Sequence, residues 1–341
     1  GSMGGGGVLV YHGDDGEATA FDFREKAPMA ATERMYLGLD GAVVNNSNHF
    51  GPLAVGVPGT VAGLYLAHSR LGSLPWEDLV QPAVELAREG IPITYSLQTG
   101  FERSASRFSQ YPASERKFIK ADGSFYELGE TWVQPDLAHT LELIRDNGAD
   151  GFYRGENAER LASFMADIGG LITEEDLAAY AAREREPIRG TYRGYEIVSM
   201  PPPSSGGVGI VQMLNILEGF DLADMGHNSS DYLHVLTETM RRAYSDRAEH
   251  LGDPDFNESM PLDRLMDKDY AADLRASIDM TRKSESSPEL FAQAYESEET
   301  THFSVVDEDG NMISMTYTLE FGYSSAIVVD GGGDLLNNEL G

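Results

Sequence analysis

Between Thr300 and Leu319 apolar and polar positions alternate with a period of two. His302, Ser304 and Val306 take turns with Phe303, Val305 and Asp307; further on, Ile313, Met315, Tyr317 and Leu319 alternate with Ser314, Thr316 and Thr318. That period predicts two strands, the second apolar on one face and hydroxyl-bearing on the other. Glu308-Asp309-Gly310-Asn311 lies between them. Asp-Gly tolerates the positive φ angles of a tight hairpin turn. Thr300 and Thr301 therefore stand where the chain enters the first strand of a hairpin.

A second hairpin is predicted near the start, with strands at Val8 to Tyr11 and Ala18 to Phe23 around the turn His12-Gly13-Asp14-Asp15-Gly16. Gly4 to Gly7 precede the first of these strands. A phosphate-binding loop would follow a strand and carry Gly-Lys-Ser/Thr, so these glycines read as sites of close backbone packing. The period then turns helical. Helices are expected from Ala27 to Leu37, from Val57-Pro58-Gly59 to near Leu71, and from Leu74 onward with Ala83, Leu86 and Ala87 inward. Others run from Ile93 to near Phe108, from Gln134 to Asn147 before Gly148, and from Asn157 to Ile168 before Gly169-Gly170, with a capped start at Thr173. Residues 45–52, 111–131 and 151–153 read as loop or link.

Pro187 to Met200 reads as two more strands about a glycine turn. Pro201-Pro202-Pro203-Ser204-Ser205-Gly206-Gly207 breaks that pattern and caps a helix near Val208. The serines lack the Gly-x-Ser-x-Gly elbow of a nucleophile, so a cap is the reading. Asp231 to Leu251 is a helix with Leu233, Leu236, Met240 and Tyr244 on one stripe, and Leu262 to Ser277 holds two short helices. The polar, acidic stretch from Ser284 to Glu299 then leads to Thr300, as an exposed processing loop would. No internal repeat or dividing linker interrupts the chain.

Composition narrows the chemistry. A chain of 341 residues supports a substantial core. Its net charge of −31 opposes nucleic acid as a partner. No apolar run of about 18 residues is present, so no transmembrane helix is expected. The absence of cysteine excludes disulfides, thiolate nucleophiles and cysteine-ligated metals. The histidines show no metal-binding spacing, and the Asp253-Pro254-Asp255-Phe256-Asn257 stretch fails as a calcium loop, since Glu258 and Arg264 stand where Gly and Glu are needed. Arginine dominates a basic set of 25 residues, and so acidic a surface resembles that of proteins from salt-loving organisms.

Two residue types carry candidate chemistry. A threonine hydroxyl is a poor nucleophile until a base takes its proton. Cutting the peptide bond before Thr300 would free an α-amine able to be that base. Arg24, in Asp22-Phe23-Arg24-Glu25, is either a surface ion pair with a neighbouring acid or a carboxylate clamp, for which the planar guanidinium is suited.

Thr300-Thr301-His302-Phe303-Ser304-Val305-Val306, with Asp309-Gly310-Asn311 and Thr316-Tyr317-Thr318-Leu319, resembles the start of the small subunit of γ-glutamyltransferases. These are also called glutathione hydrolases and belong to the N-terminal-nucleophile (Ntn) hydrolases. Asp22-Phe23-Arg24-Glu25-Lys26-Ala27-Pro28, Val57-Pro58-Gly59-Thr60-Val61-Ala62-Gly63-Leu64, Met200-Pro201-Pro202-Pro203-Ser204-Ser205-Gly206-Gly207 and Leu335-Leu336-Asn337-Asn338-Glu339 resemble further family motifs in the family's order.

The resemblance implies an α+β fold: a four-layer αββα sandwich with two stacked antiparallel sheets covered by helices. It implies one domain, with 1–299 as large-subunit part and 300–341 as the start of the small subunit, inside a protein extending past both ends. By the same resemblance, self-cleavage between Glu299 and Thr300 frees Thr300 as the catalytic nucleophile, and the two subunits stay together as a heterodimer. Thr318 resembles the second threonine that hydrogen-bonds it. Arg24 matches the arginine that holds the donor's α-carboxylate, and Glu339 a position that contacts its α-amino group. Glu320 stands where well-studied relatives have Asn. A further aspartate and the oxyanion residues would follow Gly341. The implied substrates are glutathione or other γ-glutamyl compounds, with water or an amino acid or peptide as acceptor. No cofactor and no metal are implied, and the implied location is periplasmic, secreted or cell-surface. A glutaryl- or cephalosporin-type acylase, and a non-catalytic binding relative, are the alternatives.

Overall fold

The computed structural model describes residues 3–286 and 300–340. Its strands are β1 (Gly6–His12), β2 (Ala18–Phe23), β3 (Ile91–Pro92), β4 (Thr131–Trp132), β5 (Arg183–Arg185), β6 (Ile188–Tyr192), β7 (Tyr195–Ser199), β8 (Thr300–Val306) and β9 (Met312–Thr318). Its helices are α1 (Thr60–Leu71), α2 (Trp76–Glu89), α3 (Tyr95–Phe108), α4 (Pro112–Phe118), α5 (Pro135–Asn147), α6 (Asp150–Tyr153), α7 (Gly155–Ile168), α8 (Glu174–Ala179), α9 (Gly206–Leu217), α10 (Leu222–Met225), α11 (Ser230–His250), α12 (Leu262–Leu265) and α13 (Lys268–Ala276).

The fold is α+β. Five antiparallel strands form the main sheet in the order β5-β2-β1-β9-β8, with β3-β4 and β6-β7 as separate ribbons. Both predicted hairpins are present, and they meet edge to edge: β9 pairs with β8 on one side and with β1 on the other. The alternation sorts the faces as expected. Leu9, Phe21, Phe23 and Met315 point to one side, where they pack with Ala67 of α1. Glycine at position 63 permits this contact, because a methyl group there would stand 2.1 Å from the Phe23 ring. Thr316 and Ser314 take the opposite face. There β7 approaches one end of the sheet, and Val198 shares a cavity of about 330 Å³ with Val10, Ser304 and Ser314. Among the described residues the antiparallel strands form one five-stranded sheet and the two short ribbons, in keeping with the α+β class expected.

The glycine run is explained by backbone proximity. A Cβ on Gly4, Gly5 or Gly7 would fall 2.2, 2.0 and 2.4 Å from the carbonyl oxygens of Leu335, Thr318 and Thr316. The Pro58-Gly59-Thr60 motif also has a packing role. Gly59 and Thr60 donate their N–H groups to the Gly5 carbonyl at 2.8 and 3.0 Å, which docks the start of α1 onto the strand carrying the glycines.

Several expectations need correction. Residues 27–37 form turns, with i to i+3 bonds such as Ala31 N to Pro28 O, because so short a run fully buries only Pro28 and gains too little packing to offset helix nucleation. Residues 111–131, expected as loop, contain α4, whose Phe118 joins the aromatic core of Phe101, Phe108 and Trp132. On α2 the buried side chains are Val84 and Ala87; Ala83 and Leu86 face outward. On α11 the predicted stripe is likewise displaced: Leu233 and Met240 are exposed, while Val235, Glu238, Thr239, Ala243 and Asp246 are buried. The two acids of that face are satisfied internally, while the Thr239 hydroxyl has no hydrogen-bond partner among the described residues. Glu238 accepts from Arg242 Nη1 at 2.9 Å, and Asp246 accepts from the Tyr270 hydroxyl at 3.0 Å. Ahead of α9, the Ser204 hydroxyl accepts from Gly206 N at 3.3 Å, whereas Ser205 makes no side-chain cap. The helix over 174–179 carries the expected capping box between Thr173 and Asp176.

Candidate functional site

Thr300 opens β8 and lies opposite Thr318 on β9, which lies opposite Gly6 on β1. The Thr300 hydroxyl donates to Thr318 Oγ1 at 3.3 Å, and that same oxygen accepts from the Glu320 N–H at 2.8 Å. Thr318 is thereby held in one orientation and presents its hydroxyl to Thr300. Glu320 reaches this position because its backbone is left-handed, with φ of 79°. A non-glycine residue in that region carries strain that the surrounding packing must hold.

The next two register pairs extend the polar face. His302 Nδ1 lies 2.7 Å from Thr316 Oγ1 and its Nε2 3.1 Å from Ser314 Oγ. Both ring nitrogens are occupied by the ladder, and His302 stands two register pairs along from Thr300.

Arg24 sits just past β2. Its guanidinium Nη2 meets Glu339 Oε2 at 3.0 Å, with 45% of the arginine side chain and 10% of the glutamate side chain exposed. The Arg24 backbone is fixed on both sides: its N–H donates to Asp22 Oδ1 at 3.2 Å, and its carbonyl accepts from the Tyr180 hydroxyl at 2.7 Å. Glu339 is positioned by the two residues before it. Asn337 Nδ2 donates to the carbonyls of Gly4 and Gly56, both at 2.7 Å, and its Oδ1 accepts from Glu339 N at 3.2 Å. Asn338 Nδ2 donates to the His49 carbonyl at 3.1 Å. The asparagine pair thus ties the end of the chain to the glycine run and to two loops.

Glu25 was not singled out by sequence. Both of its carboxylate oxygens are buried and make no geometric hydrogen bond among the described residues, and a Cβ on Gly6 would fall 2.6 Å from Oε2. The carboxylate therefore lies over Gly6, in the register line of Thr318 and Thr300. Burial first, then repulsion from Glu339, pushes Glu25 up to about 8, against the pull of Arg24. The same causes push the half-buried Glu320 up to about 7. Glu25 and Glu320 thus both feel Glu339 and Arg24, and the Glu320 N–H links this charged group to Thr318 and so to Thr300. The signal in sequence was the Glu beside Arg24, but only folding brings Gly6 beneath it.

The structure accordingly gathers Thr300, Thr318, Arg24, Glu320 and Glu339. Glu299, expected as the residue before the cut, lies outside the described residues. A carboxylate–guanidinium pair open to solvent can exchange partners with a ligand that carries both charges. A hydroxyl held at hydrogen-bond distance from a second hydroxyl is placed for attack once a base is supplied.

The sequence profile described as Gamma-glutamyltranspeptidase matches residues 1–341. The glutathione hydrolase proenzyme of Escherichia coli (strain K12) is 44% identical over 343 residues, covering 100% of this chain and 59% of that protein. The crystal structure of Helicobacter pylori gamma-glutamyltranspeptidase superimposes with a TM-score of 0.80 at 42% identity, over 83% of this chain and 80% of that one. The cephalosporin acylase from Bacillus halodurans gives a TM-score of 0.83 at 26% identity, over 99% of this chain and 61% of that one. The fold is that of Ntn-hydrolase relatives, and the chain belongs to the gamma-glutamyltranspeptidase family. It spans 59% of the length of the curated E. coli relative.

Proposed function

We propose that the chain forms the nucleophile and donor-binding part of a self-processing γ-glutamyltransferase, or glutathione hydrolase. The observation that carries this reading is the Thr300–Thr318 hydroxyl contact at 3.3 Å beside an Arg24–Glu339 pair at 3.0 Å. In the processing step the Thr300 oxygen attacks the Glu299 carbonyl. The peptide C–N bond breaks, its nitrogen becomes the Thr300 α-amine, and Glu299 is left as an ester on Thr300. Water hydrolyses that ester, so residues 1–299 and 300–341 become parts of two subunits that stay associated as one heterodimer.

In turnover the new amine takes the Thr300 hydroxyl proton as the oxygen attacks the γ-carbonyl of glutathione or a related γ-glutamyl amide. The leaving amine receives a proton and departs, and a γ-glutamyl ester of Thr300 remains. Water then yields glutamate, or an amino acid or peptide amine yields a transferred product. Thr318 orients the attacking hydroxyl. The donor's α-carboxylate replaces Glu339 on Arg24, and its α-ammonium takes up Glu339 together with Glu320. The reading requires no cofactor, and it places the protein in the periplasm, at the cell surface or outside the cell.

The acylase reading is favoured by the superposition on the cephalosporin acylase. Charge opposes it here. Glu339, joined by Glu320 as it ionises, lies beside the single arginine, so an acyl group bearing an α-ammonium is bound better than a glutaryl group lacking one.

The intact mass of the full gene product, beside Thr300→Ala, tests the reading. Two fragments meeting between Glu299 and Thr300, absent from the variant, are expected. A single uncut chain in both, folded by circular dichroism, would reduce the protein to a binding relative. Faster turnover of glutaryl than of γ-glutamyl amides by the processed protein would turn the assignment to an acylase.

A further inference from the structure

The segment 319–323 that carries Glu320 has a second acidic site behind it. Asp334 is 2% exposed, and neither of its carboxylate oxygens has a hydrogen-bond partner among the described residues. It lines a cavity of about 270 Å³ with Lys117 and the rings of Phe101, Phe118, Trp132 and Tyr323. Leu319 and Gly322 close the side toward the nucleophile hairpin. The aromatic wall is continuous: Phe101 meets Trp132 at 5.0 Å and Tyr323 at 6.0 Å between ring centroids.

A carboxylate withdrawn from water without a donor is costly, and a cationic donor relieves it best. Lys117 is beside it, but its Nζ donates to the Gly333 carbonyl at 2.8 Å and stands 5.6 Å from the Trp132 ring centroid. An ammonium has three donors, so two remain for another acceptor. The cavity thus offers one acceptor site without a donor among the described residues, one cation with donors to spare, and aromatic walls around them. At about 270 Å³ it falls just under the usual range of drug-sized ligand pockets, as suits a smaller molecule. A simple amine placed here would meet the Lys117 charge, and a simple acid would meet Asp334. A molecule carrying both charges on one carbon, with a flat apolar side chain, answers every group.

We propose that this cavity is a second small-molecule site that takes an α-amino acid with an aromatic side chain. Its ammonium pairs with Asp334, its carboxylate pairs with Lys117, and its ring lies among the four aromatic side chains. The site is distinct from the Arg24–Glu339 opening and does not depend on the reaction assigned there.

Calorimetric titration of the full gene product with L-phenylalanine tests it, with 2-phenylethylamine and 3-phenylpropionate as probes lacking one charge each. Saturable binding of L-phenylalanine is expected, weaker by about tenfold or more for either probe and for Asp334→Asn. An Arg24→Ala variant is expected to bind it as the parent does, which separates this site from the donor opening. Absence of saturable heat with L-phenylalanine would overturn the proposal and leave Asp334 to ordered water. So would unchanged affinity in a folded Asp334→Asn protein, or amine binding as tight as that of the amino acid. If Asp334→Asn does not fold, Lys117→Met and the two probes on the parent protein decide the same question.

Discussion

Glu339 reaches Arg24 at 3.0 Å in an opening where 45% of the arginine side chain meets solvent, whereas Asp334 lies 2% exposed and reaches no hydrogen-bond donor among the described residues. Both acids flank the segment around Glu320, and both sit near a cation. Water makes the difference. A pair at an opening is weak because solvent competes with it, so a ligand can replace either partner at little cost. An enclosed carboxylate has no such competitor, and its charge is opposed by burial until something enters to pair with it. The first arrangement suits turnover. The second stores a demand for one particular occupant at the expense of stability.

The comparison breaks most visibly at Arg24. Arg24→Ala is expected to lower kcat/KM for a γ-glutamyl donor by about 100-fold, chiefly through KM, as loss of a charge-assisted contact would. Arg24→Lys should recover part of this, since the charge remains and the planar fork does not. Steady-state kinetics over a range of donor concentrations reads both. A KM close to the parent value in Arg24→Ala would remove the clamp from the site.

A smaller effect is expected at Asp334, and it depends on pH. Burial raises this carboxyl to about 7 in the folded protein, opposed by Lys117 and Arg160. In the unfolded chain it titrates near the ordinary value of about 4. The folded form therefore holds the proton more tightly, and its stabilising contribution is lost as pH rises from about 4 through about 7. Asp334→Asn removes that loss. The variant is expected to match the parent near pH 4 and to be the more stable near pH 8, by a few degrees in Tm. Thermal melts at the two pH values measure this, and a gain of equal size at both would assign the effect to packing instead.

The smallest change is expected at Glu320, pushed up to about 7. As it ionises, the donor's ammonium gains a partner. KM for the donor should fall about threefold from pH 6 to pH 8 in the parent and stay flat in Glu320→Gln. A slope that survives in the variant would move the titration to Glu25.

Much of the site was legible before folding. Thr300 at a strand entrance, Thr318 on the hydroxyl face and the intervening turn all follow from a period of two and a local Asp-Gly signal, which act over a few residues. Arg24 was legible as a clamp or an ion pair, and it forms an ion pair with an acid 315 positions away rather than with either neighbour considered. Glu25 was overlooked because its place depends on a glycine in another strand. The misread faces of α2 and α11 share one cause. Helical period alone does not choose between two faces when a polar face can be satisfied internally, as Glu238 and Arg242 do.

By itself the amino-acid sequence determined the two hairpins, most of the helices, the threonine at the head of β8 and the family to which the chain belongs. These rest on alternation, caps, turn residues and ordered motifs, all written in local order. Tertiary structure alone decided which acids lie near Arg24, how the asparagine pair carries Glu339 to it, and that Asp334 is enclosed without a donor among the described residues. Those outcomes depend on which distant segments exclude water from a given side chain, and water, more than residue identity, sets the value of a charge.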